Sequence, residues 1–324
     1  MALSVHLPEP WEPDFLGELK RFLRPGIRLS SDPAQEDFRI LVAGRPEEDL
    51  LRRSPDLKAL IVPFAGIPME TRERLRRARP DLPVHNLHHN AIPTAEFAIA
   101  LLMTLAKRLV PADRDLRRGD WSCRYAPDPG LLLSERNATV LGFGAVGQRV
   151  ARMTHALGLR TTAIRRSTPA VAQRDGIALR RREELPEVLE TTDVLMLCLP
   201  ETAETHGILD REAIGRLSPG ALLVNISRGG LIDEAACFEA LTSGQLGGAA
   251  FDAWWRYPED EASRTNTPPA AHPFWELDNV VLSPHRGGRS DRTGHLRALH
   301  LAGLLNAADR KDPIPNRVSL ERGY

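Results

Sequence analysis

Val140-Leu-Gly142-Phe-Gly144-Ala145-Val146-Gly147 lies near the middle of the chain and reads as a strand, a tight glycine turn and the start of a helix. The first glycine permits the turn, the second lets the backbone approach a pyrophosphate, and the third lets the helix pack closely on the strand. The phosphate then meets a helix N-terminus, where backbone N–H groups are unpaired and the dipole is positive. A bare G-x-G-x-x-G string is weak, but here Val150, Met153 and Leu157 follow on one helical face and Gly158 stops it. That strand–turn–helix setting makes the motif a dinucleotide site. Its mid-chain position suggests a nucleotide-binding domain inserted into another domain.

The rest of the chain accommodates this. At 324 residues it exceeds the usual size of one domain, so two cores are the default. Acidic and basic residues balance at 43 each, which removes the electrostatic footprint of a nucleic-acid or membrane-surface binder and favours small-molecule partners. Lysine occurs only at Lys20, Lys58, Lys107 and Lys311, so arginine is common and any single arginine says little. Cys123, Cys198 and Cys237 are too scattered for a metal or disulfide framework and read as buried or neutral thiols of a reducing cytosol. The start, Met1-Ala-Leu-Ser-Val-His-Leu-Pro8, lacks a signal-peptide pattern, and no apolar run approaches a membrane span. A cytoplasmic protein is expected, with no metal site.

Before the glycine motif, Phe38–Val42 and Leu60–Val62 read as strands and Glu70–Arg79 as a helix. Thr94 to Leu109 reads as a helix apolar round most of its circumference, buried between the two domains, with Thr94 as its N-cap. Gly119, Pro127, Pro129 and Gly130 place a surface connection between Arg117 and Arg136. Strands follow at Thr139–Leu141, Thr161–Ile164, Val194–Leu199, Ala221–Ile226, Ala249–Phe251 and Val280–Leu282. Their continuous apolar runs mark parallel strands covered on both faces, a doubly wound sheet.

At the end of the second of these strands an NAD-binding protein usually carries Asp or Glu for the adenosine ribose hydroxyls. Here the place reads Ile164-Arg165-Arg166-Ser167. A carboxylate would repel a 2′-phosphate, whereas two guanidiniums and a hydroxyl can bind one. NADP(H) is therefore expected in preference to NAD(H).

Asn225-Ile-Ser-Arg228-Gly-Gly-Leu-Ile-Asp233-Glu234, then Gly247-Gly-Ala-Ala-Phe-Asp252 and Leu282-Ser-Pro-His285, follow the glycine motif in an order that resembles the D-isomer-specific 2-hydroxyacid dehydrogenase family. The resemblance runs from Leu57 to roughly Pro315 and is densest from Val140 to Gly288. It implies an α/β fold of two domains, a Rossmann-type doubly wound parallel sheet (94–290) inserted into a smaller flavodoxin-like α/β domain (1–93 plus 291–324) that binds substrate. Leu296–Ala308 and Pro313–Val318 resemble the return of the chain into that first domain, with the active site in the cleft between the two and a homodimer through the nucleotide domains.

The resemblance further implies that Arg228 clamps the carboxylate and carbonyl oxygen of a 2-oxo acid, a task suited to a planar fork that is always charged. His285 is the implied acid/base. Asp252 resembles the residue that holds the nicotinamide carboxamide, with a turn carboxylate as the plainer reading. Leu199, Pro200, Thr205, Ile226, His285 and Gly287 join the glycine loop as implied cofactor contacts. Phe64-Ala65-Gly66 resembles the loop whose amides receive the substrate carboxylate, Asn90 matches an asparagine near the substrate, and Thr94 lies near the nicotinamide. His88 and His89 face the substrate or form a polar loop.

The chain departs from the family at Tyr257, before Pro258, where relatives place a Glu that charges the catalytic histidine. Formate dehydrogenases of the family have Gln there, so a neutral partner is compatible with hydride transfer. A carboxylate raises a histidine pKa, each unit being worth about 1.4 kcal/mol, and tyrosine supplies no such charge. His285 is then less protonated at neutral pH, and keto-acid reduction is expected to favour acid. Glu259, Asp260 or Glu261 could fold back to His285, against the plainer reading of an exposed acidic loop. Trp254, Trp255, Tyr257 and Trp275 divide between core packing and pocket wall.

The expected function is hydride transfer between NADP(H) and a small 2-hydroxy/2-oxo acid, as in glyoxylate/hydroxypyruvate reductases, with Arg228, His285 and Tyr257 as the reacting machinery. A dehydrogenase of another small anion on the same fold is an alternative. A catalytically weakened, cofactor-sensing partner protein is another, and Tyr257 keeps it open.

Overall fold

The computed structural model describes residues 2–8, 10–125, 130–167 and 172–321. The chain divides into two compact units, Met1–Asn90 with Arg289–Tyr324, and Ala91–Gly288. The first runs through β1 (Leu3–His6), α1 (Pro13–Phe22), β2 (Ile27–Ser30), β3 (Ile40–Val42), α2 (Glu48–Arg53), β4 (Ala59–Val62), α3 (Met69–Ala78) and β5 (Val84–Asn86). The strands are parallel in the order β2-β1-β3-β4-β5, the flavodoxin-like winding. Every residue of β3 and β4 is buried, because helices cover both faces, and this is why those segments are apolar without alternation. The N-terminal residues, read from sequence only as lacking a signal peptide, form the inner strand β1.

The second unit comprises α4 (Ala91–Ala106), α5 (Leu109–Leu116), α6 (Ser122–Tyr125), β6 (Asn137–Leu141), α7 (Gly147–Ala156), β7 (Arg160–Arg165), β8 (Gln173–Arg174), β9 (Ile177–Arg181), α8 (Leu185–Leu189), β10 (Val194–Leu197), α9 (Arg211–Gly215), β11 (Ala221–Asn225), α10 (Glu234–Ser243), β12 (Leu246–Phe251) and β13 (Val280–Leu282). The sheet order is β13-β12-β11-β10-β6-β7-β9-β8, parallel except for β8. Successive strand residues feed two cores. Val140, Met196 and Val224 pack with α4 and α7 on one face, while Leu141, Leu197 and Leu223 pack with α8 to α10 on the other. The winding reverses between β6 and β10, which opens a crevice at the carboxyl ends of the strands.

Several boundaries differ from the sequence reading. The long apolar helix begins at Ala91, so Thr94 is its fourth residue and cannot be the N-cap; Pro93 sits in the first turn, where its missing N–H costs nothing. Left-handed Arg108, with φ of 51°, breaks it from α5. Part of the expected connection from Arg117 to Arg136 is helical, as α6, and Pro127 and Pro129 lie outside the described residues. Strand β9 is absent from the sequence reading because Arg180 and Arg181 end it; Ile177 and Leu179 alone are buried. Cys237 is buried, whereas Cys123 is exposed.

The chain then returns to the first unit. Helix α11 (Thr293–Arg310) lays Ala298, Leu301 and Leu305 into one core with Phe15 and Leu19 of α1. Strand β14 (Arg317–Val318) pairs antiparallel with β5. Among the described residues no helix is long and apolar enough to cross a membrane.

Candidate active site

Because β6, β7, β10, β11, β12 and β13 run parallel, the loops that follow them gather at one edge of the sheet. Gly142 has φ of +106°, and a Cβ there would meet the Cys198 carbonyl oxygen at 2.7 Å. At Gly147 a Cβ would lie 1.9 Å from the Gly142 carbonyl oxygen. Gly144, by contrast, would direct its Cβ into open space. Two glycines thus close the turn and the middle one leaves room for a ligand. Helix α7 starts beside Ala145 and Val146 with no side-chain cap; the Gln148 and Arg149 amides bond back to the Gly144 and Val146 carbonyls, and an anion at the turn meets the positive end of the helix dipole. Buried Thr94 Oγ1 has no hydrogen-bond partner, a second vacancy for a polar ligand group in this unit. These features fit a dinucleotide.

Leu199 and Pro200 follow β10 along the crevice. Thr205 Oγ1 donates to the Pro200 carbonyl at 2.7 Å and accepts from the Thr202 amide at 2.9 Å, which shapes this wall. Burial pushes the Cys198 thiol up to about 12, so it serves as packing. Buried Ile226 follows the neighbouring strand β11. At the end of β7, Arg165 donates to Ser167 Oγ at 2.9 Å, and Arg166 is exposed. The register sets Arg165 directly beside Arg181 of β9. Paired positions share a face of the sheet, so two guanidiniums flank this edge. The sequence reading missed Arg181 because it missed its strand.

Arg228 stands after β11 on a backbone held from below. Buried Asn225 accepts from the Ser227 amide at 2.9 Å through Oδ1 and donates to the Arg228 carbonyl at 2.8 Å. The guanidinium is exposed and donates to the Ser227 carbonyl at 2.6 Å. A Cβ at Gly229 would meet the Trp254 carbonyl carbon and oxygen at 2.4 Å, so the Arg228 loop lies directly on the backbone that leads to Tyr257.

His285 sits on a loop that Asp252 organises. Asp252 is buried and accepts from Ser283 Oγ at 2.6 Å, the Arg286 amide at 2.8 Å and the Gly287 amide at 2.8 Å. Both of its oxygens serve this turn, so Asp252 holds the loop that carries His285. His285 adopts φ of 54°, a left-handed conformation uncommon for a residue with a side chain. Its Nδ1 is 2.7 Å from Tyr257 Oη. Burial, then the charge of Arg228, hold the imidazole below its usual value, with Asp252 opposing them. Burial likewise raises the Tyr257 phenol.

The acidic loop is occupied locally. Asp260 accepts from the Ser263 amide, and Glu261 pairs with Arg264 at 2.9 Å, while Tyr257 is the side chain on Nδ1. The tryptophans have separate tasks. Trp254 is buried and donates from Nε1 to the Ser283 carbonyl, Trp255 stacks on Phe274, and Trp275 is exposed.

In the other unit, Ala65 and Gly66 follow β4, and the Ala65 carbonyl accepts from Asn86 Nδ2 at 2.6 Å, which ties that loop to the end of β5. Asn90 ends the turn after β5 and is half-buried. His89 is buried beside it with an unpartnered Nδ1, and burial pushes its pKa down to about 4. It is uncharged at neutral pH.

The family profile described as D-isomer specific 2-hydroxyacid dehydrogenase, NAD binding domain, matches residues 99–287. A glyoxylate reductase from Korarchaeum cryptofilum is 34% identical over 241 residues, 70% of this chain and 66% of that protein. A D-3-phosphoglycerate dehydrogenase from Mycobacterium tuberculosis is 29% identical over 297 residues, 91% of this chain and 53% of its own length. The chain thus spans about half the length of that relative. Among solved structures, a D-isomer specific 2-hydroxyacid dehydrogenase from Xanthobacter autotrophicus Py2, in complex with NADPH and MES, superposes with a TM-score of 0.80 at 23% identity and full coverage of both chains. An NADPH-dependent glyoxylate/hydroxypyruvate reductase from Sinorhizobium meliloti, in complex with NADP and sulfate, gives 0.78 at 22% identity, covering 99% of this chain and all of the other. With a profile match across more than half its length, laid over the glycine turn, Arg228 and His285, this chain belongs to the D-isomer-specific 2-hydroxyacid dehydrogenase family.

Proposed function

We propose that the chain reduces small 2-oxo acids to 2-hydroxy acids with NADPH, acting on a glyoxylate- or hydroxypyruvate-like substrate. The observation that carries this reading is the pairing of an exposed Arg228 guanidinium with a His285 imidazole whose Nδ1 is held. Bound along the glycine turn, the cofactor supplies hydride. Arg228 orients the substrate carboxylate and polarises the carbonyl, and His285 delivers the proton to its oxygen through Nε2. The names of the glyoxylate reductase and glyoxylate/hydroxypyruvate reductase relatives support the choice of substrate class. The test is consumption of NADPH with glyoxylate, hydroxypyruvate, pyruvate and phenylpyruvate. Tight NADPH binding without turnover of any of them would instead mark a cofactor sensor.

NADPH is preferred over NADH because the end of β7 carries Arg165 and Ser167 in place of an acid, with Arg181 alongside. Replacing Arg165 by alanine is expected to weaken NADPH binding by about 10- to 100-fold, the worth of one charge-assisted contact, and to leave NADH binding nearly unchanged. Equal losses for the two cofactors in fluorescence titrations would count against a 2′-phosphate site.

We also propose a homodimer. Leu109, Val110 and Leu116 of α5, Trp121 between the helices, Tyr125 of α6 and Leu132 are all exposed, and clustered apolar exposure marks interaction surfaces. Trp121→Glu is expected to shift sedimentation from dimer to monomer, and a wild-type monomer at micromolar concentration would refute the proposal.

A further inference from the structure

We propose that Tyr257 fixes neutral His285 as its Nε2–H tautomer and replenishes it, passing the phenolic proton to Nδ1 as Nε2 protonates the substrate oxygen. The chemistry rests on the reductase reading above; the tautomer rests on hydrogen-bond directions at one oxygen. The Trp254 backbone amide, which can only donate, lies 3.1 Å from Tyr257 Oη. With that donor on the lone-pair side of Oη, the phenolic O–H is left for the second neighbour, His285 Nδ1 at 2.7 Å. An imidazole that accepts at Nδ1 and is neutral carries its proton on Nε2, the nitrogen that serves the substrate. A carboxylate in the place of Tyr257 would act oppositely. Lacking a proton, it accepts from Nδ1–H, and Nε2 is then protonated only in the imidazolium.

The geometry that sets these directions is rigid. Trp254 is anchored through Nε1 to the Ser283 carbonyl at 2.7 Å, and its backbone is pressed against Gly229. The charges facing the pair are Arg228 and Asp252 on both rings and Glu201 on Tyr257. In the step itself, as hydride reaches the carbonyl carbon, the Nε2–H bond breaks and the substrate O–H bond forms. The Oη–H bond breaks and Nδ1–H forms. The resulting tyrosinate is held by the Trp254 amide and the charge of Arg228 until solvent delivers a proton to Nε2 and the Nδ1 proton returns to Oη, which restores the starting pair. No member of the pair is charged beforehand. The acid preference expected from charge alone is therefore replaced by a level rate from about pH 6 to about pH 9, below the ordinary phenol range.

The test combines nitrogen-15 NMR of the His285 ring in the ligand-free protein with rate–pH profiles. Wild type is expected to show protonated Nε2 and bare Nδ1 at about pH 8, and a level single-turnover reduction profile. Tyr257→Phe should lose that tautomer preference, and its reduction should fall about tenfold for each pH unit above the lowered His285 pKa, because only the imidazolium remains as acid. Protonated Nδ1 in wild type, or parallel profiles for the two proteins, overturns the proposal. The ring spectrum of wild type decides the tautomer even if Tyr257→Phe does not fold. It also decides the tautomer if no 2-oxo acid is reduced, an outcome that would refute the reductase reading instead.

Discussion

His285→Asn is expected to lower kcat/KM for 2-oxo acid reduction by about 10²- to 10⁴-fold, the usual contribution of a positioned general acid. Asparagine is preferred to glutamine because residue 285 has φ of 54°, and asparagine tolerates the left-handed region better than other residues with side chains. The backbone of the loop is also set independently of the imidazole, since Asp252 receives the amides of Arg286 and Gly287 and the hydroxyl of Ser283. A large loss of rate with an unchanged melting temperature therefore reports chemistry and not collapse of the loop. Arg228 remains to bind the carboxylate, so KM should move less than kcat. A loss below tenfold in single-turnover measurements would remove His285 from the reaction.

Gly147→Ala should abolish NADPH binding and destabilise the second unit. Its new methyl would lie 1.9 Å from the Gly142 carbonyl oxygen and 3.3 Å from Cys198 Cβ. Backbone must then shift in a turn already committed to a left-handed glycine. Forced overpacking of this kind costs about 1–3 kcal/mol in a core, and here the displaced atoms are themselves the proposed pyrophosphate cradle. Gly144→Ala separates the two effects, because nothing lies within 4 Å of its added methyl. It should melt like wild type without ligand, yet lose most of the upward shift in melting temperature that NADPH confers on wild type. Undiminished NADPH stabilisation of both variants would mean that the cofactor does not use this turn.

The doubly wound sheet is legible in the sequence because β10 is apolar throughout and β11 is apolar up to Asn225, a pattern expected of parallel strands buried on both faces. Arg228 and His285 are legible because glycines and a proline flank them in a distinctive order. The short elements resist such reading. Strand β9 has two buried residues, Ile177 and Leu179, followed by two exposed arginines, and its neighbours decide its pairing. With it went Arg181, whose position beside Arg165 exists only in the register of two strands. Thr94 shows a different limit. A threonine before an apolar run resembles a cap, but the helix had already begun at Ala91. At Tyr257 the sequence reveals a missing charge, whereas the direction of its hydrogen bond depends on the Trp254 amide, a backbone group that no residue type encodes.

The discontinuity of the first unit has a consequence for biosynthesis. When Asn90 leaves the ribosome, all five parallel strands of that unit exist, but the core that α1 shares with them still lacks the Ala298, Leu301, Ala302, Leu304 and Leu305 side chains. Its cover, α11, begins at Thr293, and Asn306 is needed to bond the Phe22 carbonyl across 284 residues. The contiguous unit Ala91–Gly288 can meanwhile complete its own core. Synthesis thus reverses the written order of the chain: the middle matures first, and the beginning waits, with apolar surface exposed, for the end.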